Sequence, residues 1–318
     1  MAHMIDTTTG TAAIAYVGQK PWHGLGQELT PGASIEEWTR QAGLAYTVLE
    51  SPVLYKTEAA TAPEVFKGRK VLHRSDTGGA LSVVSDGYHT VQPAEIMGFF
   101  GKLSEIGGFE IETAGALSHG RRIWALARVS QGADVIDGDR VRPYVLLATS
   151  YDGSTATTGK FTAVRTVCNN TIVRALGDGN SDVRVLHSER FDADKVRMEL
   201  GIVADSWERF LLESRALAGQ AMSIEAADEF VQALLEPYHT GRIDITESKA
   251  YRRIMGLFKG AAIGSEISGV MGTRWGMLNA VTELIDHERG RSNSTRLESA
   301  WFGTGSAIKN RAMELLGA

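Results

Sequence analysis

Five cations are the residues in this sequence whose type and placement most plainly point to chemistry, and that chemistry is the holding of a polyanion. Lys160, Arg165 and Arg174 lie between Gly153 and Gly177, a stretch without Asp or Glu, in a chain of net charge −5. Arg122 and Arg128 lie on an earlier alternating run, on the same parity as Trp124 and Leu126, and can join the same side. Unopposed positive charge along β-structure makes a rail for phosphates. Trp124, Tyr144, Tyr151 and Phe161 belong to the same region and offer the π-faces that single-strand binding uses for bases. The pattern also fits a core hairpin with incidental surface cations.

Other constellations are weaker. Pro21-Trp22-His23-Gly24-Leu25-Gly26 is a tight loop, and His23 has neither a carboxylate nor a second His beside it, so its expected role is structural. Glycine is abundant at 35 residues, yet no G-x-x-x-x-G-K-[ST] occurs, and the spaced glycines from Gly256 to Gly264 do not follow a strand. Asp286, His287 and Glu288 are helix neighbours that point apart, without H-E-x-x-H. There is no G-x-S-x-G elbow. The expectation is therefore a protein without bond-making catalysis, metal or cofactor. The single cysteine, Cys168, excludes an intrachain disulfide framework and suits a reducing cytoplasm. No run reaches the roughly 18–20 apolar residues of a membrane span, and residues 1–10 lack the regions of a signal peptide.

These residues must be positioned by strands. Residues 144–151 are β-branched and apolar, Asp152-Gly153 is a tight-turn dipeptide, and a Thr-rich second strand follows to Cys168. Asn169 or Asn170 then caps an expected short helix. Upstream, residues 1–20 read as an arm that packs on a neighbour. Ser34 with Glu37 signals a helix start, residues 46–56 an edge strand around Pro52, and residues 69–74 and 80–84 a hairpin around Asp76-Thr77-Gly78-Gly79. Pro93 opens a helix to about Ile106, and residues 109–114 and 121–129 pair. Beyond about Val185 the pattern turns helical: 191–217, 223–235 with Ser223 as cap, about 246–259, 277–287, 295–302 and 306–316. The fold class expected is α+β, with a mostly antiparallel sheet in the N-terminal half and a helical C-terminal half. The corresponding segments are an arm at 1–20, an α+β domain at 21–186 and a helical region at 187–318.

Three motif groups in order carry a family resemblance: Ala2 to Thr7 with Ala15-Tyr16-Val17-Gly18 and the Pro21 to Gly26 loop; Val164-Arg165-Thr166-Val167-Cys168-Asn169-Asn170-Thr171; and Gly272-Thr273-Arg274-Trp275-Gly276 through Asp286-His287, with Trp301 to Lys309. Together they resemble the phage/plasmid-like protein family, a domain of unknown function carried on mobile elements. The resemblance implies a phage or prophage origin, action in the bacterial host cytoplasm, and a distant relation to single-strand annealing recombinases. Those proteins share an antiparallel hairpin sheet backed by a helix and assemble as rings or arcs. On this basis the expected function is an oligomeric single-stranded DNA-binding and annealing protein, with Arg122, Arg128, Lys160, Arg165 and Arg174 on phosphates. The alternative is a protein-binding host-takeover or counter-defence module, anchored by Trp22, Trp275 and Trp301, with a host protein on the C-terminal helices. A third reading, an enzyme built on His23, has no nameable substrate.

Overall fold

The structure, a computed structural model, describes residues 5–18, 24–59, 61–106, 109–129, 132–167, 170–173, 182–200, 203–241, 243–290, 296, 299–301 and 303–317. The chain is α+β, with strands β1 (Ile14–Val17), β2 (Gln27–Leu29), β3 (Val48–Tyr55), β4 (Glu64–Arg74), β5 (Ala80–Ser85), β6 (Glu110–Leu117), β7 (Arg122–Arg128), β8 (Ala133–Ile136), β9 (Asp139–Ser150), β10 (Thr157–Arg165), β11 (Asn170–Val173) and β12 (Asp182–Val185). The α-helices are α1 (Ile35–Gln41), α2 (Pro93–Ile106), α3 (Ala193–Leu200), α4 (Val203–Ala218), α5 (Ile224–Leu235), α6 (Lys249–Gly256), α7 (Arg274–Glu283) and α8 (Thr304–Gly317). They divide between two compact units: Met1–Val129, Val145–Lys160 and Asp182–Leu200 form the first, and Ser130–Tyr144, Phe161–Ser181 and Gly201–Ala318 the second. The dividing lines fall within β9 and β10.

In the first unit a sheet runs β12-β10-β9-β7-β6-β1-β2, and β3-β4-β5 form a separate three-stranded meander. Among the described residues, β1 pairs with β2 in parallel, while β1 with β6, β3 with β4, β4 with β5, β6 with β7 and β10 with β12 are antiparallel. Within the segment expected as an arm, residues 14–17 are instead a strand of this sheet. Tyr16 pairs with Thr113 of β6 and with Glu28 of β2, and Ile14, Ala15 and Tyr16 are buried. The short apolar run finds one of its two partners, β6, about a hundred residues away, which local pattern does not disclose. Helix α1 begins where Ser34 Oγ accepts from Glu37 N–H at 3.2 Å, and α2 begins at Pro93. Helix α2 sets Ile96, Met97, Phe99, Phe100 and Leu103 in the core and packs on β6 and β7.

In the second unit β8, β9, β10 and β11 are neighbours in that order. Residues 170–173 form β11, with Val164 opposite Thr171 and Ala163 opposite Ile172, so the helix expected after Asn170 is replaced by a strand. Antiparallel pairing with β10 supplies backbone partners along one side of this segment, which outweighs the capping preference of Asn. Helix α5 is capped by Ser223 and α6 by Ser248, and α7 by Thr273, whose Oγ1 accepts from Gly276 N–H at 3.1 Å. Helix α7 is buried along its whole length and packs on α4, α6, α8 and β11.

Candidate nucleic-acid interface

The cations expected to form a phosphate rail are not displayed as one. Arg165 is 0% exposed. Its Nε donates to Asp139 Oδ1 at 2.6 Å, Nη1 to Ile263 O at 2.9 Å and Nη2 to Gly264 O at 3.1 Å. Asp139, also fully buried, accepts from Trp275 Nε1 at 2.8 Å through its other oxygen. Trp275 is accordingly a core hydrogen-bond donor and not a surface anchor. Lys160 is 2% exposed within the pairing of β10 with β12. Arg122 is buried and donates to Ser154 Oγ at 2.7 Å, while Arg128 pairs with Glu110. Arg174, Trp22 and His23 lie outside the described residues. Alternation misled here because β7 and β10 are covered on both faces, so parity does not separate inside from outside.

In the second unit the buried Arg165 fixes a loop. Its guanidinium holds the carbonyls of Ile263 and Gly264, and Glu283 Oε2 accepts from Ile263 N–H at 3.0 Å. Burial raises the Glu283 pKa above its ordinary value, even though that N–H lowers it. Gly264 sits at φ +76°, and a Cβ there would lie 2.9 Å from Arg165 Nη2, so backbone and guanidinium meet only because the side chain is absent. Asp286 takes Lys309 at 2.8 Å, and Glu288 takes both Arg253 nitrogens at 2.6 Å. Among the described residues no cluster of His, Cys, Asp or Glu could hold a metal, and no helix is long and apolar enough to cross a membrane.

The uncovered surface in the first unit is on β3-β4-β5. Directly opposed residues of a sheet share a face. Val48 stands opposite Arg74 and Leu72 opposite Ser82 on the inner face, where Val48, Leu72 and Arg74 are buried. Leu49 opposite His73, Ser51 opposite Val71, and Arg69 with Val71 opposite Ser85 and Val83 form the outer face. These seven positions include no carboxylate. Leu49 and Val83 are exposed on it, although aliphatic side chains on a sheet are ordinarily covered.

Toward its far end the sheet narrows to a ribbon of two strands, because β5 pairs with β4 no further than Arg69. Pro52 marks the open edge of β3, and the pairing then jumps from Pro52–Lys70 to Leu54–Val65. The extra residues sit on β4, where Gly68 takes φ +82°. Strand β3 itself runs unbroken, so alternation carries Tyr55 onto the face of Leu49 and Ser51. Phe66 meets Tyr55 edge to face, with ring centroids 6.3 Å apart and planes at 84°. Tyr55 Oη donates to Glu64 Oε2 at 2.8 Å, which raises the phenol pKa and keeps the ring neutral. Lys56 follows Tyr55 and Lys67 follows Phe66 in sequence. Lys56, Lys67 and Arg69 are exposed and make no ion pair among the described residues.

At its other end the sheet is anchored by a buried charge cluster. Arg74 donates to Asp76 through Nε at 2.9 Å and Nη2 at 2.7 Å, and through Nη1 to Asp6. The guanidinium lies 4.0 Å above the Tyr46 ring centroid, a cation–π geometry. Burial acts against the Asp6 carboxylate, but hydrogen bonds from Thr8 and then from Arg74 overcome it and lower its pKa. Asp76 is lowered chiefly by its Arg74 hydrogen bond. The turn that closes over the cluster is left-handed at Ser118, His119 and Gly120 (φ 54°, 62° and 85°), and a Cβ at Gly120 would sit 2.9 Å from Arg74 Nη1.

Sequence reasoning passed over Lys56, Lys67, Arg69, Tyr55 and Phe66. Their signal in the sequence is two aromatic–lysine dipeptides, Tyr55-Lys56 and Phe66-Lys67, far shorter than the carboxylate-free stretch from Gly153 to Gly177. Residues 80–301 of the 318 match a family described as Domain of unknown function (DUF932). No curated protein matches the chain. No solved structure matches it either.

Proposed function

From the premise that the chain belongs to this family of domains of unknown function, we propose that it binds single-stranded DNA on the outer face of β3-β4-β5 and anneals complementary strands, without making or breaking covalent bonds. The observation that carries the reading is the set of exposed cations, Lys56, Lys67 and Arg69, that make no ion pair among the described residues, beside seven outer-face positions of the three-stranded part that include no carboxylate; Glu64, opposite Tyr55, lies beyond them on the two-stranded ribbon. In this reading phosphates lie along Lys67 and Arg69, and the uncovered aliphatic positions carry the sugar and base edges. The annealing role follows the resemblance to proteins of mobile elements: several copies would act together in a bacterial host, and the antiparallel meander β3-β4-β5 followed by α2 fits the outline, an antiparallel hairpin sheet backed by a helix, that the resemblance implies.

Fluorescence anisotropy of a labelled oligothymidylate tests the reading. Affinity is expected to fall with log salt at about 0.7 per neutralised phosphate, hence about 2 for the three cations, and complementary strands are expected to anneal faster with the protein present. Absence of binding at low salt would refute it. The exposed Leu49, Leu54, Val65 and Val83 favour a second reading, a protein-docking module. That reading predicts no oligonucleotide binding at any salt.

A further inference from the structure

Resting on the reading above, we propose that the ribbon end is a base-stacking subsite: Tyr55 and Phe66 take unpaired bases, so the nucleic acid bound is one whose bases are free and not a duplex. Exposure carries the argument first. Tyr55 is 44% and Phe66 50% exposed, although each would gain by burial, and their edge-to-face contact leaves ring faces open to a planar partner. Rigidity comes second. The hydrogen bond to Glu64 fixes the swing of the Tyr55 ring, and the Phe66 ring rests against it edge to face, so less freedom is lost when a base arrives.

Charge comes third. Each ring is followed directly by an exposed lysine that makes no ion pair among the described residues, Lys56 after Tyr55 and Lys67 after Phe66. Neighbours along a strand point to opposite faces, so the rings would take bases on one face of the narrow two-stranded ribbon and the lysines would meet the phosphates where the strand crosses its edge, which joins the π-faces and cations that single-strand binding uses. A duplex presents no base face, so it would meet only the lysines.

The experiment compares an oligothymidylate with an abasic strand of equal length, which keeps the phosphates and lacks the bases. Wild type is expected to bind the oligothymidylate about tenfold more tightly or better. The Phe66→Ala variant is expected to bring the oligothymidylate down toward the abasic affinity, leaving abasic binding and the salt slope unchanged, while Phe66→Tyr retains the preference. Phe66 lies in the exposed ribbon, and a circular dichroism spectrum confirms that the variants fold. Equal binding of the two strands by wild type, or an equal loss on both in Phe66→Ala, would overturn the stacking subsite and leave phosphate binding standing. Failure of both strands to bind at low salt would instead remove the reading on which it rests.

Discussion

Replacing Arg165 by Ala separates two roles that a cation can have. The side chain and its partner Asp139 are both fully buried, with three hydrogen bonds from the guanidinium and a fourth from Trp275 to the carboxylate. Removing the cation leaves a buried carboxylate without its counter-charge and two carbonyls without their donor. Breaking a buried pair in this way costs about 3–5 kcal/mol, a large share of the roughly 5–15 kcal/mol that holds a domain folded. At about 2–4 °C per kcal/mol for a unit of this size, Arg165→Ala is expected to lower Tm by about 6–20 °C. The double variant Asp139→Ala/Arg165→Ala is expected to lose less than the sum of the single losses, because neither charge is then left alone. Differential scanning fluorimetry and urea unfolding measure both. A Tm shift below about 2 °C, together with weakened oligonucleotide binding, would refute the structural role and return Arg165 to the phosphate rail.

Further outcomes follow from the same geometry. Lys67→Ala/Arg69→Ala is expected to reduce the salt slope of oligothymidylate binding by about 1.4 with Tm unchanged, read by anisotropy across salt. The Asp6 and Asp76 carboxylates have lowered pKa values in the fold, so the stability they contribute is complete above the ordinary carboxylate value of about 3.9 and is lost as pH falls through their folded values. Asp6→Asn should remove part of that acid dependence in a pH series of unfolding curves. Gly264→Ala is expected to destabilise by more than about 1 kcal/mol, since φ +76° and the Arg165 contact both exclude a Cβ.

Local signals in the sequence were sound wherever the determinant was local. Ser34, Ser223 and Ser248 cap helices because a hydroxyl reaches N–H groups within its own first turn, Pro93 opens α2, and the turn at Asp76 to Gly79 joins β4 to β5. What failed was decided by distant partners. Residues 14–17 became a strand through β6 and β2, and residues 170–173 through β10. Arg165 shares parity with Phe161 and Ala163, which hinted at burial. Its acid, however, is 26 positions away in sequence and its carbonyl acceptors nearly a hundred. The ribbon was hidden for the opposite reason: nothing in the sequence marks apolar Val65 and Val83 as exposed, and only the fold shows them uncovered.

The central claim is that a nucleic-acid strand lies on β3-β4-β5 and not on the central hairpin. Photo-cross-linking with a bromodeoxyuridine-substituted single strand, followed by peptide mass mapping, reads the contact directly. Adducts are expected within residues 48–56 and 64–74, with Tyr55 and Phe66 foremost. Adducts confined to residues 144–173, or none at a salt concentration where the strand is bound, would contradict the account.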